Sequence, residues 1–552
     1  MSTKSRFPRE EIGASNPIFH QIRTTIETAF YGNNVSPVTS LKEAYKLAES
    51  SPGTIVTDIP VYKPELLGLD EDSKILLFND GAVTGRAAAA RKIIGEPGVV
   101  QAEYARKISE AIYNARTKKL YHSQAVVGLD KDFTVKAHLC IPETHENLMY
   151  SWLLNFQVLN EEINAMYSDS KEYPDGDLYI FSDPDWSHPD HPMGLTFFDP
   201  AHNCAAILGM RYFGEHKKGT LTLAWAMANR HGYAACHGGQ KRYNLADGRS
   251  FVAGVFGLSG SGKSTLTHAK HGGKYDITVL HDDAFVISTK DSSSVALEPA
   301  YFDKTQDYPL TSEDNKYLVS MQNCGATCDE NGHIVPVTED IRNGNGRAVK
   351  SILWSPNRVN KFEEPVNAIF WIMKDPTIPP VVKLSGAELA SVMGATLATK
   401  RSSAERLAPG VDPNALVVEP YANPFRTYPL VNDYEKFKAL VAERNVDCYI
   451  INTGDFMGKK VTPAITLGIL ERIVEQNAEF ESWGPFSDIE IMKIEGFVPD
   501  FSDAQYVDQL QKRMQDRADY VSSRDTEKGG FDALPTEAYE ALCKVVNEAK
   551  NV

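Results

Sequence analysis

Gly257-Leu258-Ser259-Gly260-Ser261-Gly262-Lys263-Ser264 has the spacing of a phosphate-binding loop, G-x-x-x-x-G-K-[ST]. Glycines let such a backbone curl until several N–H groups converge on phosphate oxygens, and the start of the following helix adds partial positive charge. Lys263 would then reach the β- and γ-phosphates, and the Ser264 hydroxyl would ligate a bridging Mg²⁺, with Thr265 next in line. Further on, Asp276-Ile277-Thr278-Val279-Leu280-His281-Asp282-Asp283 ends in two acids. A strand-end acid after a phosphate loop is where a Mg²⁺-holding carboxylate belongs; without the loop the pair would be a turn cap.

Other polar residues carry weaker signals. Ala234-Ala235-Cys236-His237-Gly238 sets one His at the end of a small-residue run, a pattern met more often in a satisfied core residue than in a ligand. Lys217-Lys218 reads as a solvated face, and Arg86, after a Gly turn at the end of the Ile75–Phe78 strand, as a surface side chain that could also face a cleft. Asp183-Pro184-Asp185-Trp186-Ser187-His188-Pro189-Asp190-His191 holds ligand-type residues, but its prolines break regular structure and make it a solvated loop. Cys324 and Cys328 lack a second pair at zinc spacing and are read as structural or incidental.

These residues need elements to position them. Phe251–Phe256 is a short apolar run that predicts a buried strand before the loop, and Ser264–Lys270 predicts a helix after it, ended by Gly272-Gly273. Val366–Met373 and Cys448–Asn452 predict further buried strands. Trp152, Leu153, Phe156, Leu159, Ile163 and Met166 have helical spacing and predict a core-facing helix, and Leu534–Val552 predicts an amphipathic one. The 552 residues, 42% hydrophobic, suffice for two or more domains, with a boundary expected near residue 245 at the polar Lys241-Arg242-Tyr243-Asn244 turn. A net charge of −16 argues against nucleic acid or anionic lipid as partner. The odd, scattered cysteines and the lack of an apolar amino-terminal or spanning segment lead to an expected cytoplasmic location.

Several stretches, in order, resemble the ATP-dependent phosphoenolpyruvate carboxykinase family. That family's loop reads GLSGTGKTT, close to Gly257–Thr265, and its second kinase motif ends in an Asp pair like Asp282-Asp283. Its YGGEMKKG segment is similar to Tyr212–Gly219, its His-ended strand to Cys236-His237, and its TGR segment to Thr84-Gly85-Arg86. A Glu-x₅-Lys spacing is similar to Glu298–Lys304, a T-R-V segment to Asn357-Arg358-Val359, and an N-T-G…G-K-R segment to Asn452-Thr453-Gly454…Gly458-Lys459-Lys460.

The resemblance implies an α/β protein in two lobes: an N-terminal α/β lobe (1–245) on the substrate side and a C-terminal P-loop lobe (246–552) for the mononucleotide, with the site in the cleft. It implies conversion of oxaloacetate and ATP to phosphoenolpyruvate, ADP and CO₂, by a monomer or small homo-oligomer. Decarboxylation leaves an enolate that needs a cation beside it. The resemblance implies Mn²⁺ on Lys218, His237 and Asp283, with the lysine neutral. Mg²⁺ would sit with ATP on Ser264, its waters facing Asp282. Lys263 and Lys304 would neutralise the transferring phosphoryl group, Arg86 and Arg358 would clamp carboxylates, Tyr212 would lie against substrate or CO₂, and Lys460 would serve the nucleotide. Gly257, Leu258, Ser259, Gly260, Ser261, Gly262 and Thr265 would complete the cradle. With Lys217, the cations named supply a local positive field that the net charge hides.

The chain departs from the family at four places. Ala284-Phe285-Val286-Ile287 stands for Glu-His-Gly-Trp, Ala87-Ala88-Ala89-Ala90 comes after the TGR segment in place of Ser-Pro, and Lys460 stands for Arg. A glycine- and threonine-rich loop is reduced to Ala404-Glu405-Arg406, which runs on into Leu407-Ala408-Pro409-Gly410-Val411-Asp412-Pro413. These changes fall on the substrate and base sides more than on the phosphates. The alternatives are therefore a kinase of the same fold with another small-molecule or protein acceptor, and a nucleotide-binding regulator without catalysis. Retention of Lys218, His237 and Asp283 together favours the carboxykinase over the first. Retention of Lys263 and the acidic pair counts against the second.

Overall fold

A computed structural model describes residues 4, 6–13, 16–79, 85–258, 260–307, 311–338, 345–400, 410, 416–527 and 530–551. The chain forms two compact units: Met1–Met227 with Ala296–Pro356 and Ser403–Val411, and Ala228–Val295 with Asn357–Ser402 and Asp412–Val552. Both are mixed α/β. Residue 245, where a single boundary was expected, lies in the turn between strands Gly239–Asn244 and Ser250–Phe256 of the second unit.

In the first unit, the central strands of the largest sheet run Leu120–Asp130, Phe133–Pro142, Leu178–Asp183, Cys204–Leu208 and Leu195–Asp199. Leu178–Asp183, Cys204–Leu208 and Leu195–Asp199 are buried at every residue, which fits their apolar runs. Ile22 and Ile26 of helix Gln21–Thr28, and Ile108 and Ile112 of helix Gln101–Ala115, share a core with Phe181, Phe197 and Leu208. A second sheet orders Tyr301–Lys304, Arg347–Lys350, Leu318–Gln322, Lys74–Phe78 and Thr54–Pro60.

The single helix expected over the Trp152–Met166 stripe is two. Helix Glu146–Asn155 ends before the short strand Gln157–Val158, and Asn160 starts the next helix, Glu161–Ser168, by accepting the Ile163 N–H at 2.8 Å. A local cap overrides the hydrophobic period there. Trp152, Leu153 and Phe156 are core, whereas Ile163 and Met166 are half-buried.

In the second unit the main sheet runs Asp276–His281, Gly239–Asn244, Ser250–Phe256, Ala368–Met373, Asp447–Asn452, Val381–Leu384, Ile489–Ile491 and Glu481–Ser482. Ser250–Phe256, Ala368–Met373 and Asp447–Asn452 are parallel neighbours, as expected of a strand that feeds a phosphate loop. A smaller sheet begins Tyr233–His237, then Ala284–Ser288. Ala284-Phe285-Val286-Ile287 is thus an interior strand with every residue buried, which accounts for its apolar character. The carboxy-terminal helix, Thr536–Ala549, buries Leu542, Val545, Val546 and Ala549, as its amphipathic pattern predicts.

Candidate active-site residues

The phosphate-loop motif adopts the local structure its sequence predicts. Strand Ser250–Phe256 leads into the loop, and the loop into helix Lys263–His268. Gly260 and Gly262 have φ of 82° and 97°, left-handed values that a residue with a Cβ rarely adopts. The loop is braced from two sides: Lys374 Nζ donates to Gly260 O at 2.8 Å, and Thr453 Oγ1 to Ser261 O at 2.8 Å. Asn452-Thr453-Gly454 therefore supports the loop through its threonine. Lys263 is buried, whereas Ser264 and Thr265 at the first turn are exposed. Ser259 lies outside the described residues.

His237 and Asp283 are brought together by register. The chain leaves the smaller sheet through His237-Gly238 to enter strand Gly239–Asn244, and leaves the main sheet through Asp282-Asp283 to enter strand Ala284–Ser288. These crossings run side by side: His237 pairs with Ala284, and Gly238 N donates to Asp283 O at 3.2 Å. A Cβ on Gly239 would lie 1.9 Å from Thr267 Oγ1, so this glycine lets the helix after the loop pack against the crossing.

His237 Nε2 lies 3.1 Å from Asp283 Oδ1, and Lys263 Nζ lies 3.6 Å from the same oxygen. The other ring nitrogen, Nδ1, donates to Ala422 O at 2.5 Å, which orients the ring and leaves the Nε2 lone pair toward Asp283 in the neutral form. An imidazole nitrogen and a carboxylate oxygen at that separation suit a divalent ion such as Mn²⁺. His237, read from its local sequence as a satisfied core residue, is buried and has one nitrogen satisfied and one aimed at an acid.

Asp282 is buried, with His268 Nε2 at 3.4 Å. Burial alone would raise its carboxyl pKa; the hydrogen bond and charge of His268, with His281 and Lys263, outweigh burial and hold it well below the usual range. Arg358 is half-buried and bridged to Val279, in the strand that ends before the acidic pair. Val359 N donates back to Val279 O at 2.9 Å. Lys460 is exposed in the short pairing of Lys459–Lys460 with Asp455–Phe456.

In the first unit, Tyr212, Lys217 and Lys218 stand at and just inside the start of helix Phe213–Arg230. The solvated-face expectation for the lysine pair is corrected. Lys217 is fully buried, 3.0 Å from the equally buried Glu298, and Lys218 is half-buried with its ammonium 5.5 Å from the Trp225 ring centre. The pair opens a buried helix, so both side chains turn into the protein. Tyr212 is buried, and its hydroxyl accepts from Arg347 Nε at 3.3 Å. Arg347 pairs in register with Lys304 across strands Tyr301–Lys304 and Arg347–Lys350, so Tyr212, Lys304 and Arg347 are neighbours. Arg86 is half-buried, and Arg91 is buried against Glu215 at 3.3 Å. Burial lowers the Arg91 pKa to about 10, opposed by Glu215 and reinforced by the positive charge of Arg86. Thr84 and Ala404-Glu405-Arg406 lie outside the described residues.

Sequence reasoning missed Arg347 and His268. Arg347 lies in a short strand whose sequence gives no sign of Tyr212. His268 sits at the end of the helix after the phosphate loop and had a local signal in its distance from Lys263, but its carboxylate partner is on another strand.

The family model described as phosphoenolpyruvate carboxykinase matches residues 71–491. The phosphoenolpyruvate carboxykinase (ATP) of Aeropyrum pernix is 25% identical over 290 residues, which cover 50% of this chain and 58% of that relative. The protein of that name from Bradyrhizobium sp. strain ORS 278 is 23% identical over 424 residues, 72% of this chain and 74% of the relative. The chain thus spans under two thirds of the Aeropyrum relative and about three quarters of the Bradyrhizobium one. No helix among the described residues is long and apolar enough to cross a membrane.

Proposed function

The chain belongs to the phosphoenolpyruvate carboxykinase (ATP) family, and from that membership we propose that it converts oxaloacetate and ATP to phosphoenolpyruvate, ADP and CO₂ in the cytoplasm. The observation that carries the proposal is the placement of His237 Nε2 3.1 Å from Asp283 Oδ1, with Lys263 of the phosphate loop 3.6 Å from the same oxygen. A kinase that only transfers phosphate has no need of a second, imidazole-bearing cation site beside its loop lysine.

In this reading His237 and Asp283 hold Mn²⁺, with Lys218 as the neutral amine ligand that the family resemblance implies. The ion, when bound, lowers the energy of the enolate left after CO₂ departs. Lys263 draws charge from the β- and γ-phosphates, and Ser264, exposed at the first helical turn, ligates the Mg²⁺ of the nucleotide. Asp282, held ionised by its neighbours, accepts hydrogen bonds from water around that Mg²⁺. Lys304 neutralises the moving phosphoryl group. Arg86 and Arg358 offer planar forks to carboxylates. Tyr212, fixed by Arg347, takes the substrate-facing role. Lys460 is given the nucleotide, with less stacking and no bidentate fork compared with the family's Arg.

The test runs the reaction backwards. The protein is mixed with phosphoenolpyruvate, ADP, bicarbonate and Mn²⁺, and oxaloacetate is detected through NADH oxidation by malate dehydrogenase. Turnover that requires ADP and Mn²⁺ and is lost in His237→Ala is expected. Absence of oxaloacetate from protein that still binds ATP would overturn the proposal in favour of another phosphoryl acceptor.

A further inference from the structure

A second donor cluster, in the first unit, belongs to none of the residues assigned above. Asp199 ends strand Leu195–Asp199 and is fully buried. His202, in the turn Pro200–His202, places Nδ1 2.7 Å from both Asp199 oxygens. His20, immediately before helix Gln21–Thr28, places Nδ1 3.3 Å from Asp199 Oδ2. That Nδ1 is shielded from solvent and has no hydrogen-bond partner among the described residues. One donor atom from each of the three residues lies within 4.8 Å of the others.

A buried carboxylate has to be matched by positive charge or hydrogen bonds. Arg23 lies close by, but its Nη1 donates to the His202 and Asn203 carbonyls at 2.7 and 3.4 Å and its Nε to Glu27 at 2.7 Å. Among the described residues, the groups aimed at Asp199 are the two imidazoles. We propose that His20, Asp199 and His202 bind a divalent transition-metal ion of the zinc type, which ties the start of helix Gln21–Thr28 to the Leu195–Asp199 and Cys204–Leu208 hairpin.

The donor separations come near those of the ion's shell, the His202 one being shorter. Zinc bonds of about 2.0–2.2 Å in a tetrahedron leave neighbouring donor atoms about 3.3 Å apart. The nitrogen-to-oxygen separations here are 2.7 and 3.3 Å. The rings are nearly parallel, with centres 3.9 Å apart and planes at 5°, so one must swing to aim its lone pair at a shared ion. A turn of His20 would give up its 3.0 Å contact with the exposed Gln101 amide. The His20 and His202 side chains are 25% and 20% exposed, which gives the ion a route in and leaves room for water to complete the shell. Two imidazoles and a carboxylate favour Zn²⁺, Co²⁺ or Ni²⁺ over Mg²⁺ and Ca²⁺.

The full chain, stripped with a chelator, is titrated with Zn²⁺ against a chromophoric competitor. The His237→Ala background keeps the ion pair of the second unit out of the count. One equivalent is expected, with affinity at least tenfold weaker after His202→Ala or His20→Gln. Co²⁺ in place of Zn²⁺ should give visible ligand-field bands that the same substitutions remove. Should His202→Ala fail to fold, the partly exposed His20→Gln carries the comparison. Zinc binding of unchanged affinity and stoichiometry in the variants, or none in the parent, would overturn the proposal and leave a His–Asp–His hydrogen-bonded cluster.

Discussion

Lys217 and Glu298 are each shielded completely from water, 3.0 Å apart, and Glu298 also accepts from Asn155 Nδ2 at 2.5 Å. Removing one charge leaves the other shielded from water without the opposite charge 3.0 Å from it. Lys217→Met is therefore expected to destabilise the protein by about 3–5 kcal/mol, and the double change Lys217→Met with Glu298→Leu by less than the single one. Urea unfolding of both variants checks this; a double variant weaker than the single would show that the pair is not the reason. Glu298 was legible as the start of a family spacing, but its burial against Lys217 was not. Spacing along a chain carries no information on which charge lies opposite across the fold. The same holds for His237, whose neighbours in sequence say core, and whose ring nitrogens meet Ala422 O and Asp283 Oδ1.

The elements that serve the phosphate loop are secured at both ends of its short helix. At the far end, Lys241 of strand Gly239–Asn244 is fully buried and donates to Leu266 O at 2.6 Å and Ala269 O at 3.3 Å. It also lies 3.2 Å from His271 Nε2, whose Nδ1 meets Glu471 at 2.9 Å. Burial lowers the Lys241 pKa from 10.5 to about 7. Between those values the unfolded chain holds a proton that the folded chain lacks, so stability rises with pH across that window. Lys241→Met removes this rise and leaves the last carbonyls of the helix without their donor, which should raise the KM for ATP more than it lowers kcat. Thermal unfolding from pH 7 to 10 with nucleotide kinetics tests it; an unaltered pH slope would contradict the assignment. The polar Lys241–Asn244 segment looked like a turn because its charges, taken alone, ask for water. The Leu266 and Ala269 carbonyls replace that water for Lys241.

Across the whole molecule, each unit is held by its own core. Ile451 is fully buried among Val255, Phe370, Ile372 and Ile469 in the second unit, and Ile108 among Ile22, Phe181 and Phe197 in the first. Truncation of either to Ala should cost about 2–5 kcal/mol through lost transfer energy and a residual cavity. Denaturant titration followed by amide exchange should show Ile451→Ala weakening protection on the main sheet of the second unit and Ile108→Ala that of the first. Equal loss in both units from one substitution would mean that they do not have separate cores.

The sequence by itself determined the phosphate loop, its strand and helix, the acidic pair and the family. Each rests on residues close along the chain, where backbone geometry is set directly by glycine placement and apolar runs. It determined the central buried strands for the same reason. The family resemblance already implied that His237 lies near Asp283; only the tertiary structure decided that Lys217 is buried on Glu298, that Tyr212 is held by Arg347, and that His20 meets Asp199 and His202. Those pairings depend on strand register and on crossings between sheets, which join residues far apart along the chain and leave no period or motif to read.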